Sequence, residues 1–237
     1  MKHIDVSLIL PCFNESEHFD ESMKRIIRVL NTSGLSWEII LIDDHSTDDT
    51  AEKIKSFCEQ NAALAIHAIY HSKNRGRGAT VSEGIQKSSS EIVGFIDIDC
   101  EVDPQYIPHF VRAVQEGSDV VCAWRIYRVA FKSLLRYVAS SAYVYIEQKL
   151  LHNNFPDTEA GYKFFRKKKI MPVLEKCSSH HWFWDTEIMV YSQKQGLSIL
   201  HLPVVFVRRD DKTSTVKIIP DTIDYIKNIL RLRKEIL

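Results

Sequence analysis

Five short apolar runs, separated by longer amphipathic ones, govern the first half of the chain: VSLIL (6 to 10), WEIILI (37 to 42), LAIHAIY (64 to 70), IVGFIDI (92 to 98) and DVVCAW (119 to 124). Between them the spacing predicts helices near 19 to 31, 49 to 60, 79 to 88 and 104 to 116, the last opening on Pro104, a residue favoured in a first helical turn. Strands separated by helices of that length imply an α/β fold with a mostly parallel central sheet and right-handed crossovers. Ligands in such sheets bind beyond the carboxyl ends of the strands. The residues just after each apolar run are therefore the ones to inspect for chemistry.

Those residues are unusually acidic. FIDIDCEVDP (95 to 104) starts as a buried strand and then interrupts itself with Asp97 and Asp99, which strand alternation would point to one face. A hydrophobic core does not tolerate two unpartnered carboxylates, so the rim of a cleft is the expected address. LIDDHSTDDT (41 to 50) ends the second run with Asp43 and Asp44, and helix capping by Ser46 or Asp48 accounts for only part of its polarity. HSKNRGRGAT (71 to 80) sets Gly76 and Gly78, interleaved with Arg75 and Arg77, before a helix; this suits either a phosphate or an ordinary turn. Two acids of the D-x-D kind also suit a hard divalent cation, Mg2+ or Mn2+, shared with substrate phosphates.

Composition narrows the classes. The 237 residues are 45% hydrophobic, enough for a sizeable core, and 31 Lys plus Arg balance 31 Asp plus Glu, so no global field calls for nucleic acid. Five scattered cysteines, none in a CxxC pair, argue against a disulfide framework or zinc knuckle and suit a reducing cytosol. The apolar N-terminal run is short for a signal peptide, and no segment approaches the ~20 apolar residues of a membrane span. A cytoplasmic location, with attachment at most to the membrane surface, is the expectation.

After residue 125 the alternation fails. Phe131, Leu134, Leu135, Val138, Ala142, Ile146 and Leu150 recur at helical spacing, followed by DTEAGYKFFRK, a strand-like LSILHLPVVFV and an amphipathic stretch from Pro220. This half is expected to complete one domain with a lid and an acceptor surface.

Taken in order, LPCFNE (10 to 15), DDHSTDDT (43 to 50), NRGRGA (74 to 79), DIDCEVDPQYIP (97 to 108), DTEAGYKFFRK (157 to 167) and FWDTEI (183 to 188) resemble the family 2 glycosyltransferases, and within them the dolichyl- or polyprenyl-phosphate sugar transferases. The resemblance covers nearly the whole chain. It implies a single GT-A catalytic domain, with residues 1–125 binding the nucleotide-sugar donor and 126–237 the acceptor. Pro11, Asn14 and Glu15 match the loop that holds base and ribose, Asp43 the acid on the base, and Asp44 its neighbour in the donor site. Asn74, Gly76 and Gly78 fall in the phosphate-side loop. Asp97 resembles the residue near ribose and diphosphate and a metal ligand, and Asp99 the main metal ligand. Arg125 and Arg128 resemble the region that meets the acceptor, joined by Asp157, Thr158, Lys163 and Arg166 of DTEAGYKFFRK. Arg208, Arg209 and Lys217 resemble a segment that closes over the phosphates.

The resemblance implies inversion by direct displacement, with the metal and those basic residues neutralising the departing diphosphate. A polyprenyl phosphate attacks already ionised; a saccharide hydroxyl needs a base, and Asp185, with Glu187 in FWDTEI, occupies the place where sugar-acceptor relatives carry theirs. Helix capping is the structural alternative for Asp185. His180 and His181 are adjacent, so they do not share a face as a metal pair would and suit packing instead. The Tyr137, Tyr143 and Tyr145 cluster suits helix packing or a lipid groove. IKNILRLRKEIL suits a membrane surface or an ordinary docked helix. A non-catalytic sugar-nucleotide-binding protein on the same fold is the alternative from another class.

Overall fold

The computed structural model describes residues 3–127, 147–208 and 218–236, the last segment with side chains from 224 onward. Seven strands form one sheet in the order β3-β2-β1-β4-β6-β5-β7. In chain order the elements are β1 (Val6–Cys12), α1 (Phe19–Thr32), β2 (Trp37–Asp43), α2 (Thr50–Gln60), β3 (Ile66–Tyr70), α3 (Arg77–Lys87), β4 (Ile92–Ile96), a 3-10 turn (Pro104–Tyr106), α4 (Ile107–Gln115) and β5 (Val120–Tyr127). Then come β6 (Tyr162–Arg166), α5 (Lys167–Leu174), α6 (Trp184–Lys194), β7 (Ile199–Phe206) and α7 (Ile218–Ile236).

The first half follows the sequence pattern closely. β1 and β2 are buried along nearly their whole length, as strands covered on both faces must be, and pair in parallel from Val6 opposite Trp37 to Cys12 opposite Asp43. β3 alternates between more and less exposed positions because it lies at the sheet edge. In α1 the buried Phe19, Ser22, Met23, Ile26 and Leu30 recur three or four apart, and Asp20 and Glu21 in its first turn complement the helix dipole. Asp103 caps the Pro104 turn by accepting from the Gln105 amide at 2.8 Å.

β6 has no counterpart in the sequence reading. It runs antiparallel between β4 and β5, with Ile96 opposite Tyr162 and Ile92 opposite Arg166. The sheet is therefore parallel except for this one strand. Adjacent β6 side chains fix the layers: Phe164 meets Phe110 of α4, while Phe165 meets Phe95, which in turn meets Trp184 of α6. Alternation thus sets α4 and α6 on opposite faces of the sheet. Each of these wholly buried phenylalanines contributes about 1.5–3 kcal/mol relative to exposure. All five cysteines are free thiols. Most of the helical spacing between 131 and 146, with the tyrosine cluster, lies outside the described residues; 147–151 is helical.

Candidate active site

The loops after β1 and β2 hold each other at the carboxyl edge of the sheet. Asn14 Oδ1 accepts from the Thr47 amide at 2.8 Å, and the Asn14 amide donates to Ser46 Oγ at 3.0 Å. Asp48 accepts from the Ser16 amide at 3.1 Å and from the Thr50 hydroxyl at 2.5 Å, while the Glu15 amide donates to Thr50 Oγ1 at 2.8 Å. Partial burial of Asp48 opposes its ionisation, but the hydrogen bonds from Thr50 and Ser16 win and hold its carboxyl below the ordinary value. Asn14 and His45 adopt φ of +56° and +63°, a left-handed region in which Asn and His are enriched. The expected base-and-ribose loop, Pro11 to Glu15, is thereby fixed on the start of α2.

Asp43 and Asp44 separate sharply in role. Asp44 has both oxygens committed: Oδ1 meets His71 Nδ1 at 2.6 Å and the Arg75 amide at 2.8 Å, and Oδ2 accepts from the Gly76 amide at 2.8 Å. The Asn74 side chain also donates to the Asp44 carbonyl at 3.1 Å. Asp44 and Asn74, both expected in the donor site, thus shape the NRGRG loop from within. Asp43 is also buried, and its Oδ2 accepts from the Ser46 amide at 3.2 Å, but its Oδ1 has no hydrogen-bond partner. A buried acceptor left open is rare and points to a donor group arriving from elsewhere.

The two glycines of NRGRGA serve packing. A Cβ on Gly76, which sits at φ +91°, would lie 2.5 Å from the His180 carbonyl oxygen, and one on Gly78 would lie 2.4 Å from Trp184 Cβ. The Ala79 amide donates to that His180 carbonyl at 3.1 Å. Residues 180–184 thus pack against the N-terminus of α3, where Gly76 and Gly78 were expected on the phosphate side. His180 and His181 are part of that contact.

Arg77 is the hub that the sequence reading did not assign. Its Nε and Nη2 donate to Asp97 Oδ1 at 2.9 and 2.7 Å, and its Nη1 donates to Asp185 Oδ2. The guanidinium also lies 5.1 Å from the Phe95 ring centre and 5.2 Å from that of Trp182. Burial works against its charge, yet Asp185 and Asp97 outweigh burial and raise its pKa above the ordinary value. The Asp97 side chain is 38% exposed, so it faces solvent on one side while Arg77 holds its Oδ1 on the other. Gly161 makes this geometry possible: a Cβ there would come within 1.8 Å of Asp97 Oδ2 and 2.5 Å of Arg77 Nη2.

The acidic triplet itself is a turn and not a strand. β4 stops at Ile96, and the Cys100 amide bonds the Asp97 carbonyl at 3.3 Å, with Cys100 at φ +54°. The turn, not the strand pleat, brings Asp97 and Asp99 to the same edge. Asp99 is partly exposed and accepts from the Glu101 amide at 3.2 Å. The Val207 amide donates to the Glu101 carbonyl at 2.9 Å, so exposed Arg208 emerges beside this turn. Arg128, Arg209 and Lys217 lie outside the described residues.

The residues expected to meet an acceptor are brought together only in part. Arg125 pairs with both oxygens of Asp157, at 2.7 and 2.9 Å, and its guanidinium lies 5.7 Å from the Phe206 ring centre. Thr158 is buried, donating to Glu147 at 2.8 Å and lying 3.2 Å from Thr186 Oγ1. Lys163 is fully buried, its ammonium on the Ala160 carbonyl at 2.6 Å and Asp185 Oδ1 at 2.5 Å. Arg166 ends β6 opposite Ile92, at the other edge of the sheet from Asp97, and donates to the Val114 carbonyl at 2.6 Å. Of the residues expected at the acceptor, Thr158 and Lys163 are thus buried in internal hydrogen bonds and Arg166 stands at the far end of β6 from Asp97.

Asp185 is 1% exposed, with one oxygen on Lys163 and the other on Arg77. It stands in the first turn of α6, whose N-cap is Phe183. A carboxylate held by two cations and shielded from solvent is badly placed to take a proton from an acceptor. Glu187 is occupied elsewhere, accepting from the amides of Ser178 and Ser179 at 3.0 and 2.8 Å and pairing with Arg231 of α7. Among the described residues no group of three or more His, Cys, Asp or Glu is arranged to hold a metal. Asp97 and Asp99 would supply two carboxylates, and substrate oxygens would have to complete the shell.

A family model described as glycosyl transferase family 2 matches residues 7–174. The chain belongs to glycosyltransferase family 2. The chain is similar in sequence to glycosyltransferase AglD of Haloferax volcanii, 25% identical over 99% of this chain and 36% of its own length; to dolichyl-phosphate beta-glucosyltransferase of Dictyostelium discoideum, 26% over 98% and 74%; and to undecaprenyl-phosphate 4-deoxy-4-formamido-L-arabinose transferase of Salmonella paratyphi B, 28% over 90% and 64%. This family 2 chain thus spans about a third to three quarters of the length of those relatives. Among solved structures it superimposes on glucosyl-3-phosphoglycerate synthase from Mycobacterium tuberculosis in complex with UDP, with a TM-score of 0.71 at 18% identity over 98% of this chain and 80% of that one. The mannosyltransferase PcManGT from Pyrobaculum calidifontis in complex with GDP-Man and Mn2+ gives 0.60 at 16% identity, over 89% and 59%. At these identities the two structures establish the GT-A fold, and the site is read from this chain's own residues.

Proposed function

We propose that this chain transfers a hexose from a nucleoside diphosphate sugar to a polyprenyl phosphate, with inversion at the transferred carbon. The observation that carries the acceptor is the locked Asp185, 1% exposed between Arg77 and Lys163. A hydroxyl acceptor needs a base in reach; a phosphate monoester is ionised near neutral pH and attacks without one. The names of the Dictyostelium and Salmonella relatives support the same acceptor class.

On the donor side, the open Asp43 Oδ1 would meet the base, and the Pro11 to Glu15 loop the ribose. The diphosphate would lie along Asp97 and Asp99. Arg77 occupies only Oδ1 of Asp97, so Oδ2 with Asp99 fits a hard divalent cation such as Mg2+ or Mn2+. Bound there, it would supply charge neutralisation at the diphosphate. Arg208 beside the turn would neutralise the charge of the leaving group, a role the sequence also assigns to Arg209 and Lys217. Arg125, positioned by Asp157, would meet the acceptor phosphate together with Arg128.

A membrane-surface location for the reaction draws support from α7. Its Tyr225, Ile229 and Leu232 are buried, whereas Ile226 and Leu230 are 47% and 46% exposed on a helix that also exposes Lys227 and Lys234. Among the described residues no helix is long and apolar enough to cross a membrane.

The deciding assay incubates the full chain with Mn2+, labelled UDP- and GDP-sugars, and either polyprenyl phosphate or a soluble saccharide. Label is expected in the organic phase. Label on the saccharide alone would favour a hydroxyl acceptor, and label on neither would sink the reading.

A further inference from the structure

We infer that Trp182 is the platform on which the hexose of the donor rests; this rests on the nucleotide-sugar reading of the cleft. Trp182 is 54% exposed, and exposure of a single apolar residue needs no explanation by itself. Its position does. The Arg77 guanidinium lies 5.2 Å from the Trp182 ring centre and 5.1 Å from that of wholly buried Phe95, while its Nε and Nη2 donate to Asp97 Oδ1. One guanidinium therefore separates the open ring from a carboxylate expected at the diphosphate. The backbone that carries the ring is fixed from two sides: the Asp185 amide donates to the Trp182 carbonyl at 3.2 Å, and the Ala79 amide of α3 to the His180 carbonyl at 3.1 Å. A ring mounted in advance costs little to order when a ligand arrives.

The sheet order gives the direction. The expected base contacts follow β1 and β2 and the acids of the diphosphate follow β4, so a nucleotide laid across them runs along the order β2-β1-β4. Continued past the diphosphate, that line reaches β6, whose Lys163 shares Asp185 with Arg77. Trp182 stands at this end, its carbonyl bonded to the Asp185 amide. The group it meets is the one beyond the diphosphate, the sugar, and not the base.

The neighbours of the ring suit a sugar better than a prenyl chain. A lipid chain needs contiguous apolar surface to leave water. Here Ser178, Ser179, His180 and His181 precede the ring, both histidines are exposed, and Phe183 and Trp184 turn inward and are buried. A pyranose has the matching pattern: a face of C–H groups, attracted by the electron-rich face of an indole, edged by hydroxyls that an imidazole can hydrogen-bond.

Calorimetric titration of UDP, GDP, UDP-glucose and GDP-mannose into the full chain with Mn2+ tests this. In Trp182→Ala the nucleotide sugar that binds the unsubstituted chain should weaken roughly five- to tenfold, the scale of one aromatic contact, and its parent nucleoside diphosphate by less than about twofold. Trp182→Phe should restore most of the loss. Equal weakening of both ligands would mean that the ring only covers Arg77 and would overturn the inference, as would a folded Trp182→Ala that binds both unchanged. Circular dichroism checks the fold. If Trp182→Ala does not fold, the nitrogen-15 spectrum of the unsubstituted chain decides: the indole N–H peak missing from Trp182→Phe should move with the nucleotide sugar and stay with the nucleoside diphosphate, and a peak that the sugar leaves in place overturns the inference. Binding of a nucleoside diphosphate but of neither hexose conjugate would overturn the inference alone. Binding of no nucleoside diphosphate would overturn both the inference and the reading beneath it.

Discussion

The two walls of the cleft are held by different physics. The donor wall, at the ends of β1 and β2, rests on neutral or singly charged hydrogen bonds between neighbouring loops, such as Asn14 to the Thr47 amide and Asp48 to the Ser16 amide. The opposite wall rests on buried charges: Arg77 pairs with Asp185, 108 residues away, and Lys163 pairs with the same carboxylate. A loop hydrogen bond can be lost and partly replaced by water. A buried ion pair that loses one member leaves a bare charge in a low-dielectric setting. The comparison teaches that the donor wall should yield gradually to mutation, and the Arg77 wall abruptly.

The largest effect is expected at the hub. Arg77→Met leaves Asp97 and Asp185 without their shared cation and should lower unfolding free energy by about 3–5 kcal/mol, read from urea denaturation. A loss under 1 kcal/mol would erase the contrast between the walls. Next comes Gly161→Ala, whose new methyl must displace Asp97 Oδ2 and Arg77 Nη2. Transfer should fall ~100-fold in kcat/KM, about 2.7 kcal/mol, with the circular dichroism spectrum unchanged. Unaltered kinetics would show that Asp97 need not sit where the structure places it.

A third effect depends on pH. Buried Glu147 accepts from Thr158, Asn153 and, at 3.4 Å, Tyr225, and burial pushes its carboxyl up to about 7 from an ordinary 4.5. The native state holds this proton more tightly than the unfolded chain. The stabilisation is therefore full below pH 4.5 and is lost as pH rises through about 7. Glu147→Gln cannot ionise, so its stability relative to the unsubstituted chain should improve by about 1–3 kcal/mol between pH 5 and 8. Parallel stability curves would contradict this. The smallest effect belongs to the donor wall: Asn14→Ala should cost ~1 kcal/mol in stability, and a loss as large as that of Arg77→Met would reverse the comparison.

The same contrast explains what could be read from the sequence. β1 to β5 and α1 to α4 follow from periodicity because their contacts are local or between successive elements. The acids at the strand ends announced the cleft because charge at the end of a buried run has few other uses. β6 was hidden by its own chemistry: in YKFFR the second residue, Lys163, breaks the apolar run, and its burial makes sense only once Asp185 is beside it. Arg77 was visible within NRGRGA but could not be told from Arg75, which turns outward to Glu83. Gly161 stood unremarked in DTEAGYKFFRK, whereas its lack of a side chain leaves room for Asp97. Asp43 and Asp44 looked alike until their hydrogen bonds were traced.

The central claim is that Asp99 and Asp97 form an incomplete cation site that a nucleoside diphosphate completes. Electron paramagnetic resonance of Mn2+ titrated into the protein measures this directly. The account predicts weak Mn2+ binding alone, binding at least tenfold tighter with UDP present, and loss of that gain in Asp99→Asn. Equal Mn2+ affinity with and without the nucleotide, or a gain that survives in Asp99→Asn, would contradict it.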